Sequence, residues 1–166
     1  DSFSTDILGA NNFNIDAFYS DDVFHIDEIL TIIPYGPNKD DYNIWFYHPI
    51  CLEDEKYQKE LTEIFNFNLQ ILESFFPNKI KLFKLYFTSN GKLVNPPIFN
   101  RILLRQNNSF RIIFPDQPQD IKDEVIVEMN KYISSYPHID YHFIDTSYLH
   151  KNNGNIHCGF KNIPKT

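Results

Sequence analysis

The chain has 166 residues, a formal net charge of −7 at pH 7, and 42% hydrophobic and 16% aromatic residues. This length and apolar content suffice for one hydrophobic core and exclude a largely disordered chain. The acidic balance argues against a nucleic-acid partner, because phosphate binding needs a basic surface. It suits a cationic partner such as an arginine-rich peptide or calcium, although many soluble proteins are acidic without any functional reason.

Strand-like and helical patterns alternate in the first half of the chain. Residues 1–12 are polar and are predicted to form a loop or a broken edge. Three segments have the composition of strands, and they cover residues 13–19, 24–33 and 43–48. Residues 53–75 instead have a helical period that Pro77 ends, with an apolar stripe of Tyr57, Leu61, Ile64, Phe65, Leu72 and Phe75.

The second half repeats this order. Strands are predicted over residues 80–87, 98–104 and 110–114, with a turn at Ser89-Asn90-Gly91 after the first of them. A helix is predicted to start near Gln119, with a stripe of Ile121, Val125, Met129, Tyr132 and Ile133. A last strand over residues 139–145 leads towards the carboxy terminus. The sequence therefore predicts an α/β fold in which strand, strand, helix, strand occurs roughly twice, without a linker between two domains.

Two features of the sequence bear on membrane association and on the cellular compartment. No apolar run is long enough to span a bilayer, so no membrane partner is expected. The only cysteines are Cys51 and Cys158, too few for a disulfide framework, and a reducing, cytoplasmic compartment is the prediction. The chain begins Asp1-Ser2-Phe3 without a methionine, so we expect it to be part of a longer polypeptide.

Cys158 is the first candidate for chemistry. It lies between His157 and Gly159, shortly after a loop that ends at Gly154. A thiolate is a strong nucleophile near neutral pH, and a neighbouring glycine lets a substrate or backbone approach closely. The alternative is a buried structural cysteine, which is a common role for a free thiol; we expect that role for Cys51.

His25 and Asp27 form the second candidate cluster. They alternate with Ile26, so a strand would place both side chains on one face. Histidine is suited to proton transfer, and a carboxylate is suited to holding a cationic substrate. The alternative is a strand whose polar side faces water. A zinc site built from His138, His142, His150 and His157 is a weaker alternative, because their spacing matches no common zinc signature.

These motifs together resemble the carboxy-terminal half of the catalytic domain of protein-arginine deiminases. The segment His25-Ile26-Asp27-Glu28-Ile29-Leu30 resembles the family's His-Val-Asp-Glu-Phe-Leu. The segment Gly154-Asn155-Ile156-His157-Cys158-Gly159 resembles its final Gly-Glu-Val-His-Cys-Gly. Three shorter segments are also similar to the family: Tyr19-Ser20-Asp21, Phe143-Ile144 and Asp1-Ser2-Phe3.

The resemblance implies a partial α/β propeller of the pentein type, built of ββαβ modules, with residues 1–166 as the carboxy-terminal portion of the catalytic domain. It implies that Cys158 attacks the guanidinium carbon of an arginine-containing protein or peptide. His25 would then protonate the departing ammonia and activate water, and Asp27 would hold the guanidinium nitrogens. It also implies a possible calcium cofactor, for which Phe3 and Asp6 are weak candidate ligands.

Several positions depart from the family and leave other functions open. Phe24 replaces a glycine before the histidine, and Phe160 and Lys161 replace the threonine and asparagine after Cys158-Gly159. The second guanidinium-binding carboxylate of the family lies upstream of this chain. The main alternative is therefore a catalytically inactive deiminase-like fold that serves as a structural or interaction subunit of a larger complex. A small-molecule amidinotransferase or hydrolase of the same superfamily is a third hypothesis.

Overall fold

The computed structural model describes residues 29–151 and two short segments, Ser2–Phe3 and Phe13–Asn14. These two segments are strands β1 and β2, and they pair antiparallel with Phe3 opposite Phe13. The strand that the sequence predicts from Phe13 is thus confirmed at its first two residues. Ser2–Phe3 are paired where the sequence predicts a loop or a broken edge.

The first module comprises β3 (Leu30–Pro34), β4 (Tyr42–Ile50), α1 (Glu55–Phe75) and β5 (Ile80–Tyr86). The middle strand is β4, which pairs antiparallel with β3 and parallel with β5. Parallel neighbours require a crossover connection, which α1 provides while packing on β4. Of the segment 24–33 that the sequence predicts to be extended, the structure describes the part from Ile29, and the strand begins one residue later.

The second module comprises β6 (Ile102–Gln106), β7 (Ser109–Pro115), α2 (Gln119–Ser135) and β8 (Ile139–Ile144), followed by the short helix α3 (Ser147–Lys151). Here β7 is the middle strand, antiparallel to β6 and parallel to β8. The two modules therefore have the same strand order and pairing. This confirms the predicted α/β class and the repeated strand, strand, helix, strand order.

Helix α1 begins where the sequence provides a cap. The carboxylate of Asp54 accepts a hydrogen bond from the Tyr57 backbone N–H at 3.0 Å, which satisfies one of the unpaired donors of the first turn. Its buried positions follow the helical period: Leu61, Phe65, Asn68 and Leu72. The predicted apolar stripe is confirmed along most of its length, but Phe75 at its end is 42% exposed and does not belong to the core.

The strand predicted over residues 98–104 is wrong in its first half. Ile98 and Phe99 are buried, yet they lie in an irregular connection, and β6 begins only at Ile102. Local backbone bonds hold this connection, with the Asn100 N–H donating to the Pro97 carbonyl at 3.1 Å. A short apolar run predicts burial correctly, but it cannot distinguish a strand from a packed loop.

The turn predicted at Ser89-Asn90-Gly91 is confirmed. Gly91 has a φ of 78°, a left-handed conformation that costs glycine little because it has no Cβ. The Thr88 N–H donates to the Lys92 carbonyl at 2.8 Å and closes the turn. Within the part of the chain that the structure describes, no helix combines the length and apolar character needed to cross a bilayer.

Candidate functional site

The three predicted catalytic residues, His25, Asp27 and Cys158, lie outside the described residues. The weak calcium candidate Asp6 also lies outside them, whereas Phe3 belongs to β1. The structure does describe the scaffold that separates the two motifs in the chain.

That scaffold is the pair of ββαβ modules. The segment containing His25 and Asp27 runs directly into Ile29 and β3 of the first module. The segment containing Cys158 follows β8 and α3 of the second module. The relative position of the two modules therefore sets the distance between residues 29 and 151, to which the two segments are attached.

Tyr132 of α2 joins the second module to the middle strand of the first. Its hydroxyl oxygen accepts hydrogen bonds from Asn43 Nδ2 at 2.8 Å and from Trp45 Nε1 at 3.1 Å. All three side chains are buried, so water cannot replace these bonds easily. Burial raises the pKa of Tyr132, and the phenol stays protonated over the physiological pH range.

The contact between the two modules around Tyr132, Asn43 and Trp45 is called the module joint here. Aromatic rings also pack in this joint. The Trp45 ring stacks on the Phe114 ring of β7, with centroids 5.4 Å apart and planes 1° from parallel. It also contacts Phe83 of β5 at 4.1 Å, and Tyr35 contacts Tyr132 at 5.5 Å. Stacked and tilted aromatic pairs at these separations add specific geometry to the area they bury.

A second connection ends on β3 itself. Arg101, which precedes β6, donates from Nη2 to the Ile32 carbonyl at 2.6 Å. A hydrogen bond from a charged donor is stronger than one between neutral groups. The first strand after the His25 segment is therefore tied to the start of the second module.

Acidic residues of α2 face lysines of β5 at the edge of this joint. Glu128 lies 2.8 Å from Lys131 Nζ and 3.8 Å from Lys81 Nζ. Glu124 lies 2.7 Å from Lys84 Nζ, and Asp120 accepts from the Tyr86 hydroxyl at 2.9 Å. Together with Tyr132, these acidic residues recur at intervals of four along one side of α2: Asp120, Glu124 and Glu128.

The ionisation of Glu128 is coupled to this arrangement. Burial alone would raise the pKa of Glu128, but hydrogen bonds from Lys131 and Tyr132 and the charge of Lys81 outweigh it. The pKa of Glu128 is therefore below its ordinary value. A lowered pKa in the folded state means that the ionised carboxylate stabilises the fold.

We expect the stabilising effect of Glu128 to be present above its unfolded pKa of about 4.3 and to be lost as pH falls through its lower folded pKa. The Glu128→Gln variant should therefore be less stable than the parent chain at pH 7, and the difference should shrink towards pH 3. Urea unfolding at both pH values measures this. Glu63→Gln, at an exposed position of α1, is the matched control and should change stability little. A destabilisation by Glu128→Gln of equal size at both pH values would contradict the prediction.

An open groove of about 490 Å³ lies between β5 and α2. Its lining includes three lysines and three acids, and the apolar residues Leu82 and Val127 lie between them. The acids are largely occupied by partners, since Glu124 and Glu128 contact lysines and Asp123 accepts from Gln119. A groove of balanced charge attracts neither anions nor cations strongly. It is therefore a feature of the module joint and not a strong candidate site.

A smaller cavity of about 220 Å³ lies at the carboxyl ends of β7 and β8. Residues directly after these strands line it, among them Gln117, Asp145 and Thr146. A hydrogen bond from the Ser147 N–H lowers the pKa of Asp145, so this carboxylate stays ionised. Parallel sheets commonly bind ligands beyond the carboxyl ends of their strands. The chain continues from this edge through α3 towards Cys158.

The remaining histidines give no metal site in the described ranges. Across residues 29–151, no three His, Cys, Asp or Glu side chains come together as metal ligands. His142 is 3.9 Å from Asp140, whose carboxylate also accepts hydrogen bonds from Arg111 at 2.9 and 3.0 Å. The bond from Arg111 lowers the pKa of Asp140, so this pair is a surface ion pair of β7 and β8. Cys51 is buried, as expected for a structural cysteine.

The joint residues were not singled out by sequence reasoning, although some left a signal. Tyr132 is predicted as part of the core stripe of the second helix, without a polar role. Asn43 in a strand-like segment and Glu128 beside Met129 are polar residues next to apolar stripes. Buried polar groups need hydrogen-bond partners, so these two positions predict a polar contact without saying where its partner lies.

The chain is similar in structure to deiminases of arginine and agmatine. A proposed arginine deiminase from Porphyromonas gingivalis aligns with a TM-score of 0.49 and 18% identity, covering 81% of this chain and 36% of that protein. Agmatine deiminase from C. jejuni aligns with a TM-score of 0.38 and 20% identity, covering 81% of this chain and 37% of that one. A cysteine-to-serine variant of the C. jejuni enzyme with substrate bound aligns with a TM-score of 0.38 and 18% identity, covering 81% of this chain and 35% of that one.

The chain thus spans about a third of the length of these solved proteins. No protein-family model and no curated protein matches it. At these identities the similarity concerns the fold, and it assigns neither a substrate nor a protein-arginine deiminase activity.

Proposed function

We propose that this chain is the carboxy-terminal portion of a hydrolase that converts peptidyl-arginine to peptidyl-citrulline and ammonia. The observation that carries the proposal is the presence of two motifs in one chain. His25 and Asp27 precede the two ββαβ modules, and Cys158 follows them. Thiol, imidazole and carboxylate are the groups needed to attack and hold a positively charged carbon centre.

Cys158 is the proposed nucleophile. Its thiolate adds to the guanidinium carbon and forms a carbon–sulfur bond, giving a tetrahedral adduct. The adduct collapses by breaking a carbon–nitrogen bond, and ammonia leaves. A reducing, cytoplasmic setting, in which the thiol stays free, is part of the proposal.

His25 is the proposed proton carrier for both halves of the reaction. As the imidazolium it protonates the departing nitrogen, and as the neutral imidazole it then takes a proton from water. The resulting hydroxide attacks the thiouronium carbon, and the thiolate of Cys158 leaves. The balance is one guanidinium and one water consumed, with one ureido group and one ammonium ion formed.

Asp27 is the proposed anchor for the substrate cation. A carboxylate can accept two parallel hydrogen bonds from a guanidinium group, which fixes its plane as well as its position. This geometry would present the guanidinium carbon to the thiolate. Position matters because a displacement of about 1 Å can cost on the order of a hundredfold in rate.

Calcium is a separate matter. Phe3 pairs with Phe13 in a short antiparallel ladder, and Asp6 lies outside the described residues. The described residues contain no group of three acidic, histidine or cysteine ligands that would hold the ion. Calcium also takes backbone carbonyl oxygens as ligands, so its binding stays a proposal, and no step of the proposed reaction passes through the metal.

The test is citrulline formation from an arginyl peptide by the longest native polypeptide that contains this sequence, with calcium and with a chelator. Citrulline should form with the parent protein and disappear with Cys158→Ala. Cys51→Ala is the matched control and should retain activity. Citrulline that persists in Cys158→Ala would rule out the proposed nucleophile, whereas loss of citrulline formation with the chelator would support the proposed calcium requirement.

A structural or interaction subunit is the alternative function. It is favoured by a partly exposed apolar stripe on α1, where Phe67 is 49% and Phe75 is 42% exposed, with Ile71 between them. A contiguous exposed apolar surface is a feature that another protein can cover. A folded parent protein that forms no citrulline and elutes as part of a larger complex would favour this alternative.

A further inference from the structure

We propose that Tyr132 is a positioning residue for the proposed reaction, because its buried hydroxyl fixes the second module against the first. The inference rests on the proposed function, since it concerns how the His25–Asp27 segment and the Cys158 segment are brought into register. Each segment is continuous with a different module. A residue that fixes the two modules relative to one another therefore acts on both segments without contacting the substrate.

The geometry of the joint distinguishes Tyr132 from an ordinary core residue. Its hydroxyl oxygen accepts from two donors of β4, Asn43 and Trp45, at 2.8 and 3.1 Å. Apolar contacts alone tolerate sliding of one surface over another, because they have little directionality. Two convergent hydrogen bonds to one atom allow little displacement, because their strength falls steeply with distance and angle.

Contacts on both sides of Tyr132 also hold α2 against the first module. On one side Glu128, one helical turn before Tyr132, is held by Lys131 at 2.8 Å and lies 3.8 Å from Lys81 of β5. On the other side the Tyr132 ring contacts Tyr35 at 5.5 Å. Tyr132 and Glu128 thus place polar contacts of α2 on two strands of the first sheet, β4 and β5. Polar networks specify one arrangement of the elements they join.

Arg101 provides a second, independent contact between the modules at β3. Its bond to the Ile32 carbonyl would keep the first strand close when Tyr132 is altered. The loss of the Tyr132 hydroxyl is therefore expected to shift the joint without separating the modules. The expected consequence for chemistry is a lower reactivity of Cys158 towards a cationic reagent in a protein that remains folded.

The test compares Tyr132→Phe with Tyr136→Phe in the longest native polypeptide. Both variants remove one phenolic oxygen and keep the ring. The Tyr136 hydroxyl bonds to the Asn108 carbonyl within the second module, so it is the matched control. Cys158 is labelled with chloroacetamidine, which carries a guanidinium-like cation, and with neutral iodoacetamide. The ratio of the two rate constants reports alignment with the His25–Asp27 segment and not mere exposure of the thiol.

We expect Tyr132→Phe to lower this ratio by about tenfold or more, since a displacement near 1 Å is enough for such a loss. The iodoacetamide rate should change by less than about twofold, because labelling by the neutral reagent depends on the thiol and its access and not on the distant carboxylate. Tyr136→Phe should leave both rates near those of the parent protein. All rates are measured at a temperature where thermal melts show each variant to be folded.

Each outcome decides between the hypotheses. An unchanged ratio in Tyr132→Phe, or an equal decrease in both variants, would overturn the positioning role while leaving the proposed function intact. A parent protein whose Cys158 shows no preference for the cationic reagent would instead overturn the proposed function, and the role of Tyr132 with it. A decrease confined to Tyr132→Phe would support both.

Discussion

Replacing His25 by alanine is expected to lower kcat for an arginyl peptide by about 10²–10⁴-fold, the usual contribution of a positioned general acid and base. The value of KM should change by only a few fold, because the imidazole transfers protons and does not hold the substrate. Both carbon–nitrogen cleavage and hydrolysis of the thiouronium need this residue in the proposed mechanism. Steady-state citrulline kinetics of the longest native polypeptide measure the effect.

Two companion variants make this result specific to His25. Asp27→Asn should raise KM as well as lower kcat, because it weakens the charged, bidentate contact that both holds and orients the guanidinium group. His48→Ala is the matched control, since His48 is an exposed residue of β4 that stacks on Phe65 of α1. Kinetic constants of His25→Ala that equal those of His48→Ala would show that His25 is not the proton carrier.

Trp45→Ala is expected to destabilise the fold by about 3–5 kcal/mol, the range for removing a large buried aromatic side chain. Trp45 is fully buried and contacts rings on both modules. Its removal would also take one of the two donors away from the Tyr132 hydroxyl. This loss is a large part of the 5–15 kcal/mol that holds a typical domain together, and urea unfolding followed by circular dichroism measures it.

The control for Trp45→Ala is Leu52→Ala, because Leu52 is 85% exposed. Substitutions at such surface positions usually change stability by less than about 0.5 kcal/mol. Trp45→Phe should fall between the two variants, since it keeps a ring in the core and loses only the indole N–H and part of the volume. Equal unfolding free energies for Trp45→Ala and Leu52→Ala would contradict the burial of Trp45 in the core.

Local patterns in the sequence account for most elements of the fold. The strand predicted over 80–87 is β5 (Ile80–Tyr86), the one over 139–145 is β8 (Ile139–Ile144), and the second helix begins at Gln119 as predicted. These elements are read correctly because alternation, helical period and the breaks at proline act within a few residues of the chain. The error at residues 98–101 arises because a local apolar pattern predicts burial, whereas a strand also needs pairing with a distant strand, which the pattern does not encode.

The candidate site also has a part that the sequence predicts and a part that only the structure shows. His25, Asp27 and Cys158 were found from residue type and neighbouring sequence, and they remain predictions because the described residues do not include them. The contact between Tyr132 and Trp45 was not found, because 87 positions separate the two residues in the chain. No local pattern encodes which partner a buried tyrosine will meet at that separation.

The sequence by itself thus determined the α/β class and the repeated strand, strand, helix, strand order, and it supplied the prediction that His25, Asp27 and Cys158 form a site. These properties depend on residue type and short-range periodicity, which are present in the unfolded chain. Only the tertiary structure decided how α2 lies against the first sheet and which polar groups meet in the joint. That arrangement depends on packing between distant segments, where a ring, a hydroxyl and two N–H donors must fit together in three dimensions.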